Sequence, residues 1–581
     1  MAATFGVRRP SKVAAGATTI RGWEDDVNAL TALAMDGPRT AEPAMFDPDR
    51  VPAPAAAETG GFQLRFTQGL HRALQTGPDA VATLCNGRAQ TFRTLADRVT
   101  RIAGALRALG VRRGDRVAIL ALNSDRVLEY YLAVPWIGAL VVPLNFRWST
   151  DEIIDGLTDS GARVLFVDDA FAALERPLTQ ACPGLRRVVF CGEGEVASGT
   201  VSLEALVRDN DPVPDAGIGG AEPFGIFYTG GTTGRAKGVV LSHANVLISA
   251  MGILGEGAYA EGAVGLHAAP MFHLADLMAT ACLLLRGGTH VMLPAFQPEA
   301  VAALIERHRI TDLLMVPTML QMLVDHPAFT AADTTSLHSL LYGASPASEA
   351  LIDRAMRAMP DVAFGQVYGM TEAAATISIL RPCDHDPARR SGGRLRSAGR
   401  GFCHTQVRTL SPDGSELGPG EVGEIAVRGP NVMVGYRDRP DDTAEALRDG
   451  WLHTGDMGYL DEAGYVFIVD RAKDMIITGG ENVYSLEVEN AVCGHPAVAA
   501  AAVIGIPNPD WGESIHAVVV LRPGQSLTLD ELAGHCRQRI TPYKCPRSLD
   551  IVERLPVSAA GKLLKTVLRR PFWEGRERAV S

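Results

Sequence analysis

The stretch "YTGGTTGRAKG", Tyr228–Gly238, follows the apolar run Phe224–Phe227 and leads into "VVLSH". A Gly/Thr loop between two β-rich runs can turn its backbone N–H groups inward, and glycines let a ligand approach the backbone closely. The hydroxyls of Thr229, Thr232 and Thr233 and the ammonium of Lys237 add donors suited to a polyphosphate. An ordinary P-loop is disfavoured, because that motif places Gly before its lysine and Ser or Thr after it. Here the neighbours are Ala236 and Gly238. Taken alone, the loop also reads as a solvent-exposed hairpin.

Outward from this loop the chain alternates between two periodicities. Leu95, Val99, Ile102, Leu106 and Leu109 recur at helical spacing, and Gly110 follows as a natural stop. "DRVAILAL" (Asp115–Leu122), "ALVVPLN" (Ala139–Asn145), "ARVLFVDD" (Ala162–Asp169) and "RRVVFCG" (Arg187–Gly192) are short buried-strand patterns separated by helical stretches. That order predicts an α/β fold with parallel sheets covered on both faces. "TQVRTL" (Thr405–Leu410), "GEIAVRG" (Gly423–Gly429) and "GYVFIVD" (Gly464–Asp470) lack intervening helices and predict a β-rich subdomain. "AAAVIGIP", "HAVVVLRP" and the helical pattern Leu529–Arg539 predict a small separate α+β domain at the C-terminus.

The 581 residues carry 47% hydrophobic side chains, 21% charged side chains and a formal net charge of −11. This excludes general electrostatic attraction to nucleic acid, so any bound polyanion must be held by local design. The nine cysteines form no C-x-x-C pair and no metal-spaced cluster, and read as reduced thiols of a cytoplasmic protein. The apolar run Leu132–Leu144 is short and broken by Pro135 and Pro143, so no transmembrane segment is expected. Residues 1–60, ending in "VPAPAAAETGG", read as a flexible extension.

With further motifs in order, the chain resembles the adenylate-forming superfamily, which includes acyl- and aryl-CoA synthetases. The family loop usually reads Tyr-Thr-Ser-Gly-Thr-Thr-Gly-x-Pro-Lys-Gly; this chain has Gly230 for Ser and Ala236 for Pro. "PMFH" (Pro270–His273), "YGASP" (Tyr342–Pro346), "QVYGMTE" (Gln366–Glu372), "WLHTGDMG" (Trp451–Gly458), "DRAKDMIITGGENVYSLEVE" (Asp470–Glu489) and "PVSAAGKLLK" (Pro556–Lys565) are similar to the family's other signatures. The similarity covers roughly residues 65–570.

The resemblance implies an adenylation domain over 61–472 and a mobile C-terminal domain over 473–581. It implies that Thr229, Gly230, Gly231, Thr232, Thr233, Gly234 and Lys237 hold ATP phosphates. Gln366, Tyr368 and Gly369 would line the adenine site, Thr371 would touch the α-phosphate, and Glu372 would ligate Mg²⁺. Asp456 and Arg471 would hold the ribose. Lys562 would bridge the substrate carboxylate and the α-phosphate. His273, Gly343, Ala344 and Ser345 would line the acyl pocket, with residues around Met315–Met319. Lys473 would be the hinge, and Gly479, Gly480 and Glu481 would border the coenzyme A channel.

The implied function is an acyl-CoA ligase that uses ATP, Mg²⁺ and CoA on a small-molecule carboxylic acid, with medium- or long-chain fatty acids as the first expectation. The partners would be small molecules only, with a homodimer left open. Alternatives are an acyl-AMP ligase loading a carrier protein, an aryl-acid–CoA ligase, a luciferase-like oxygenase and a non-catalytic nucleotide-binding regulator. "CDHDP" (Cys383–Pro387) reads as a solvated loop rather than a metal site. "RRSGGRLRSAGR" (Arg389–Arg400) reads as an exposed basic loop. Gly343, Ser345 and Ala347 fall one residue short of a serine-hydrolase elbow.

Overall fold

A computed structural model describes residues 63–194, 196, 200–229, 236–390, 393–471, 474–479, 481–556 and 563–574. The chain divides into Met1–Arg50, which lies outside those residues together with the rest of the expected extension, and Val51–Ser581, which contains everything described below.

Two large mixed sheets form the body of the described chain. One has eight strands in the order Gly435–Tyr436, Lys237–Ser242, Pro223–Thr229, Leu140–Pro143, Arg116–Leu120, Val164–Val167, Arg187–Phe190, Val201–Ser202. Its members from Pro223–Thr229 to Val201–Ser202 are parallel. The other has nine strands in the order Arg400–Gly401, Ser378–Leu380, Ala363–Tyr368, Ser339–Gly343, Asp312–Met315, Val264–His267, Thr289–Met292, Val81–Cys85, Arg88–Thr91. The six from Ala363–Tyr368 to Val81–Cys85 are parallel.

Both sheets therefore depart from the all-parallel expectation at their edges. Pro223–Thr229 and Lys237–Ser242 pair antiparallel, with Thr229 opposite Lys237. The physical reason is loop length: the seven residues 230–236 between them can close a hairpin, whereas a parallel neighbour needs a crossover of a dozen or more.

The helices follow from local signals. Thr91 caps Phe92–Ala108 by accepting the Thr94 N–H, and the predicted Leu95, Val99, Ile102 and Leu106 face is fully buried. Ser149 and Glu152 form a reciprocal cap on Thr150–Ser160, which stops at left-handed Gly161. Ser242 and Asn245 do the same for His243–Gly255, directly after the hairpin. Apolar clusters centred on Leu165, Val142 and Leu157 under the eight-stranded sheet, and on Leu313, Leu340 and Ile305 under the nine-stranded sheet, hold these layers. Each such fully buried side chain contributes about 1.5–3 kcal/mol.

The β-rich subdomain is an antiparallel sheet of Gln406–Leu410, Gly423–Arg428, Trp451–Leu460, Leu447–Arg448 and Val466–Arg471. The C-terminal unit pairs Ile476–Thr478, Glu481–Val483, Val498–Asn508, Gly512–Leu521 and Ser548–Ile551, with helices Ser485–Cys493, Leu529–Arg537 and Lys565–Trp573. Among the described residues no helix is long and apolar enough to cross a membrane.

Gly399 joins the nine-stranded sheet to the β-rich subdomain, where its carbonyl accepts the Val466 N–H at 2.7 Å. Its φ is +77°, and a Cβ there would lie 1.9 Å from the Ile379 carbonyl oxygen. Gly414 has φ +85° but open space around it. Gly399→Ala is expected to cost more than about 2 kcal/mol of stability and Gly414→Ala about 1 kcal/mol. Urea denaturation of the two variants checks the difference; equal midpoints would contradict the packing argument.

Candidate active site

Parallel strands share a direction, so the loops that follow them leave from one edge. Ala363–Tyr368, Ser339–Gly343, Asp312–Met315 and Val264–His267 are consecutive parallel neighbours. Their C-terminal ends release Gly369 to Glu372, Ala344 to Pro346, Val316 and the "PMFH" segment, respectively. In the other sheet, Thr229 ends a strand parallel to Leu140–Pro143. The motifs singled out in the sequence thus converge through topology.

Thr371, Glu372 and Ala373 form a single helical turn that packs against both strands of the Gly/Thr hairpin. The turn is tightly bound. The Met433 N–H donates to the Glu372 carbonyl at 2.8 Å. Asn431, fully buried, donates its amide to the carbonyls of Ala373 (3.2 Å) and Thr376 (2.6 Å). Ala374 (φ 44°) and Ala375 (φ 67°) then hold left-handed backbone, as does Ala344 (φ 67°) beside Gly343. Such conformations cost an alanine on the order of 1 kcal/mol and persist where surrounding contacts enforce them.

The side chains form two groups. In the first, Lys237 opens the return strand of the hairpin and its Nζ lies 2.8 Å from Asp442 Oδ1 and 5.1 Å from the centre of the Tyr436 ring. Tyr436 donates its hydroxyl to Glu372 Oε1 at 2.8 Å, so the hairpin lysine and the glutamate share one tyrosine. In the second, Tyr368 donates its hydroxyl to Asp456 Oδ2 at 2.6 Å. Arg471, paired with Asp456 across two strands, brings Nε to 3.5 Å from Asp456 Oδ1. Burial, reinforced by the Asp456 carboxylate, pushes the Tyr368 phenol well above its ordinary range, so it stays a donor. Gln366 lies on the same strand as Tyr368, opposite Tyr342.

His273 holds the N-cap position of the helix Leu274–Arg286 with no side-chain capping bond, and its ring lies 4.1 Å from that of Phe272. Phe272 meets Phe146 edge-on at 5.0 Å, joining loops from the two sheets. Asn123 fixes this segment: its amide donates to the carbonyls of His267 and Ala269, and its oxygen accepts the Met271 N–H. Beneath it runs a buried chain, Asp276 to His267 at 2.6 Å and His267 to His290 at 3.0 Å. Met315 is wholly buried in the core, whereas Met319 only packs against it, so the apolar run expected to line a pocket is in part structural.

Gly479 donates its N–H to the Trp511 carbonyl at 2.8 Å, and Glu481 is the exposed first residue of the short strand that ends at buried Val483. Gly230, Gly231, Thr232, Thr233, Gly234, Lys473, Gly480 and Lys562 lie outside the described residues. Sequence reasoning did not single out Asn123, Asn431, Tyr436 or Asp442. Asn123 alone carried a signal, since it directly follows the strand-like run Asp115–Leu122.

One reading is overturned. "CDHDP" is not a solvated loop: Asp384 and His385 are 4% and 1% exposed. Tyr465 donates to Asp384 Oδ1 at 2.7 Å. His385 lies 2.9 Å from both the Arg381 carbonyl and the Tyr342 hydroxyl. Because a carbonyl only accepts, His385 Nδ1 carries the proton and Nε2 accepts from Tyr342. The segment pins the strand that ends at Gly343. In the basic stretch, Arg394 and Arg400 both lie 5.0 Å from the Tyr465 ring centre, Arg394 half-buried and Arg400 exposed as expected.

The AMP-binding enzyme profile matches residues 70–437 and the AMP-binding enzyme C-terminal domain profile matches 487–562. The chain belongs to this family, the adenylate-forming acyl-CoA synthetases. It is similar to a feruloyl-CoA synthase of an Amycolatopsis species, 43% identical with 86% of this chain and 98% of the relative covered. It is 36% identical to a medium/long-chain-fatty-acid–CoA ligase, FadD8, of Mycobacterium tuberculosis, over 84% and 86%. Among solved structures, the o-succinylbenzoate CoA synthetase of Bacillus subtilis with its acyl-adenylate superposes with a TM-score of 0.74 at 32% identity, covering 86% and 97%.

Burial lowers the His385 pKa to about 4. A depressed histidine adds stability that is complete above its ordinary value of about 6.5 and is lost as pH falls toward 4, because only the unfolded chain takes the proton in that window. Wild-type stability is expected to fall by up to about 3 kcal/mol from this group between pH 6.5 and 4. His385→Asn should flatten the slope. Denaturation midpoints across pH 4–7 test this, and parallel profiles would refute it.

Proposed function

We propose that the chain activates an aryl carboxylic acid with ATP to an acyl-adenylate and transfers the acyl group to CoA. One observation carries the adenylation half: the Gly/Thr hairpin, with Lys237 at its base, packs against the Thr371–Ala373 turn that presents Glu372. A carboxylate is a poor acyl donor because oxide is a poor leaving group, and exchange of oxide for AMP removes that obstacle. In this reading the substrate carboxylate attacks the α-phosphorus and pyrophosphate leaves. Charge grows on the phosphoryl oxygens, so the site must offer cations and N–H donors there.

Each residue has a stated task. Thr229 and the loop residues Gly230, Gly231, Thr232, Thr233 and Gly234 offer hydroxyl and N–H donors, with Lys237, to the β- and γ-phosphates. Tyr368, Gln366 and Gly369 border the adenine, while Asp456 accepts from the ribose diol beside Arg471. Thr371 faces the α-phosphate. Lys562 places a compact positive charge between the two reacting partners.

Among the described residues no group of three or more His, Cys, Asp or Glu side chains is arranged to hold a metal. A hard ion resting on one buried carboxylate and on nucleotide phosphates fits that donor set, as Mg²⁺ does. Glu372, 7% exposed with Oε1 held by Tyr436, would hold it, and the ion would supply neutralisation of phosphate charge. Rotation about Lys473 would then withdraw Lys562 and bring Gly479, Gly480 and Glu481 to the thiol channel.

The acid class rests on two supports. The feruloyl-CoA synthase and o-succinylbenzoate synthetase names both denote aryl acids. The Phe146–Phe272 pair beside His273 offers ring faces and edges at that end of the cleft. The fatty-acid reading stands second, favoured by the 36% identity to the fatty-acid–CoA ligase.

Incubation with ATP, Mg²⁺, CoA and a panel of cinnamic, benzoic and fatty acids, followed by mass spectrometry, tests both halves. Aryl-CoA with AMP is expected, and Glu372→Gln and Lys562→Ala should each lower the adenylation rate at least about 100-fold. Fatty acyl-CoA alone would overturn the acid class, and acyl-AMP accumulating despite CoA would overturn the acceptor.

A further inference from the structure

Lys237 does not point freely into a cleft. Its ammonium rests against Asp442, with the two side chains 28% and 29% exposed, and over the Tyr436 ring. The pair is held by the fold rather than by chance meeting of mobile side chains. Tyr436 lies opposite Val239 in the strand that pairs with the lysine's own strand. Arg437 donates its N–H to the Gly238 carbonyl at 2.8 Å. Thr443, next to Asp442, accepts the Tyr436 N–H at 2.9 Å and donates its hydroxyl to the Arg439 carbonyl at 2.8 Å. The short helix Pro440–Ala446 is therefore tied through Thr443 to the strand Gly435–Tyr436, which itself pairs with the hairpin.

We propose that Asp442 is a resident counter-ion for Lys237, a positioning residue that occupies the lysine until the β- and γ-phosphates of ATP displace it and that reclaims it when pyrophosphate leaves. The inference rests on the reading that Lys237 faces those phosphates. A carboxylate at 2.8 Å neutralises the charge that the phosphates need, and placing a polyphosphate beside it adds repulsion. The exchange is built to be reversible, because Asp442 has a second cation. Arg439 Nη1 lies 3.6 Å from Asp442 Oδ2, so losing the lysine does not strand the acid. The lysine holds its carboxyl below the usual carboxylate range, so the counter-ion is charged at neutral pH. The consequence is weaker binding of ATP and of pyrophosphate with no cost to AMP, which lacks the outer phosphates. The outcome is faster loss of pyrophosphate and an adenylation step that runs forward.

Calorimetric titration of the full chain with ATP, pyrophosphate and AMP, each with Mg²⁺, tests this. Asp442→Asn should bind ATP and pyrophosphate roughly tenfold more tightly and AMP unchanged. Asp442→Glu should stay near wild type, and Asp442→Asn should gain nothing when Lys237→Met is also present. Unchanged or weaker ATP binding in Asp442→Asn overturns the proposal. So does a gain shared equally by AMP, or one that survives Lys237→Met, since both would indicate only the loss of a general negative charge. A wild-type chain that binds neither ATP nor AMP overturns the nucleotide reading itself, and the counter-ion role with it.

Discussion

The site depends on parallel strand direction. Every parallel strand must be followed by a loop at the same edge, and four neighbours in one sheet place their loops side by side. The chain needs no long-range encoding to gather Tyr368, Glu372, Ala344 and His273, which are scattered over a hundred residues. The second sheet contributes the hairpin from its own parallel strand Pro223–Thr229. The turn Thr371–Ala373 joins the two systems, because Asn245 and Asn431 secure the Pro430–Val432 segment and Met433 binds the turn. Loss of any one strand register would move the loops relative to each other by a full residue spacing.

Under the proposed function, rigid backbone at this junction serves an electrostatic purpose. Phosphoryl transfer offers the protein little covalent work and much charge to manage. Donors that are already aimed avoid reorganisation at the moment of reaction. The left-handed alanines, the buried Asn431 and the Tyr436–Glu372 bond all fix groups before any ligand arrives.

The alternation of short apolar runs and helical faces made four strands of the eight-stranded sheet legible, while the nine-stranded sheet was not read from it, and the Phe92–Ala108 helix matches its apolar pattern closely. The antiparallel hairpin was also present in the sequence as loop length, though a pattern of strands alone suggested parallel pairing. What stayed hidden was burial of polar residues. "CDHDP" has the composition of a surface loop, and only tertiary partners, Tyr342 and Tyr465, make it a satisfied interior segment. Asp442 sits in a polar run, "RDRPDDT", where nothing distinguishes one acid from its neighbours. Its meaning comes from the strand pairing that sets it against Lys237. Local pattern carries elements; contacts between distant polar groups arise only once the sheets have formed.

The two ends of the candidate site differ in their chemistry. The end that holds Lys237, Glu372, Tyr368 and Asp456 is charged, hydrogen-bonded and over-determined, so most substitutions there break several bonds together. The end near His273 is held by backbone contacts to Asn123 and by the buried Asp276–His267–His290 chain, with the half-buried Phe146 and Phe272 rings beside it. Rings can be exchanged for other apolar groups at modest cost. Under the proposed function, enzymes with the same adenylation chemistry can therefore take different acids through changes in the few side chains at this end.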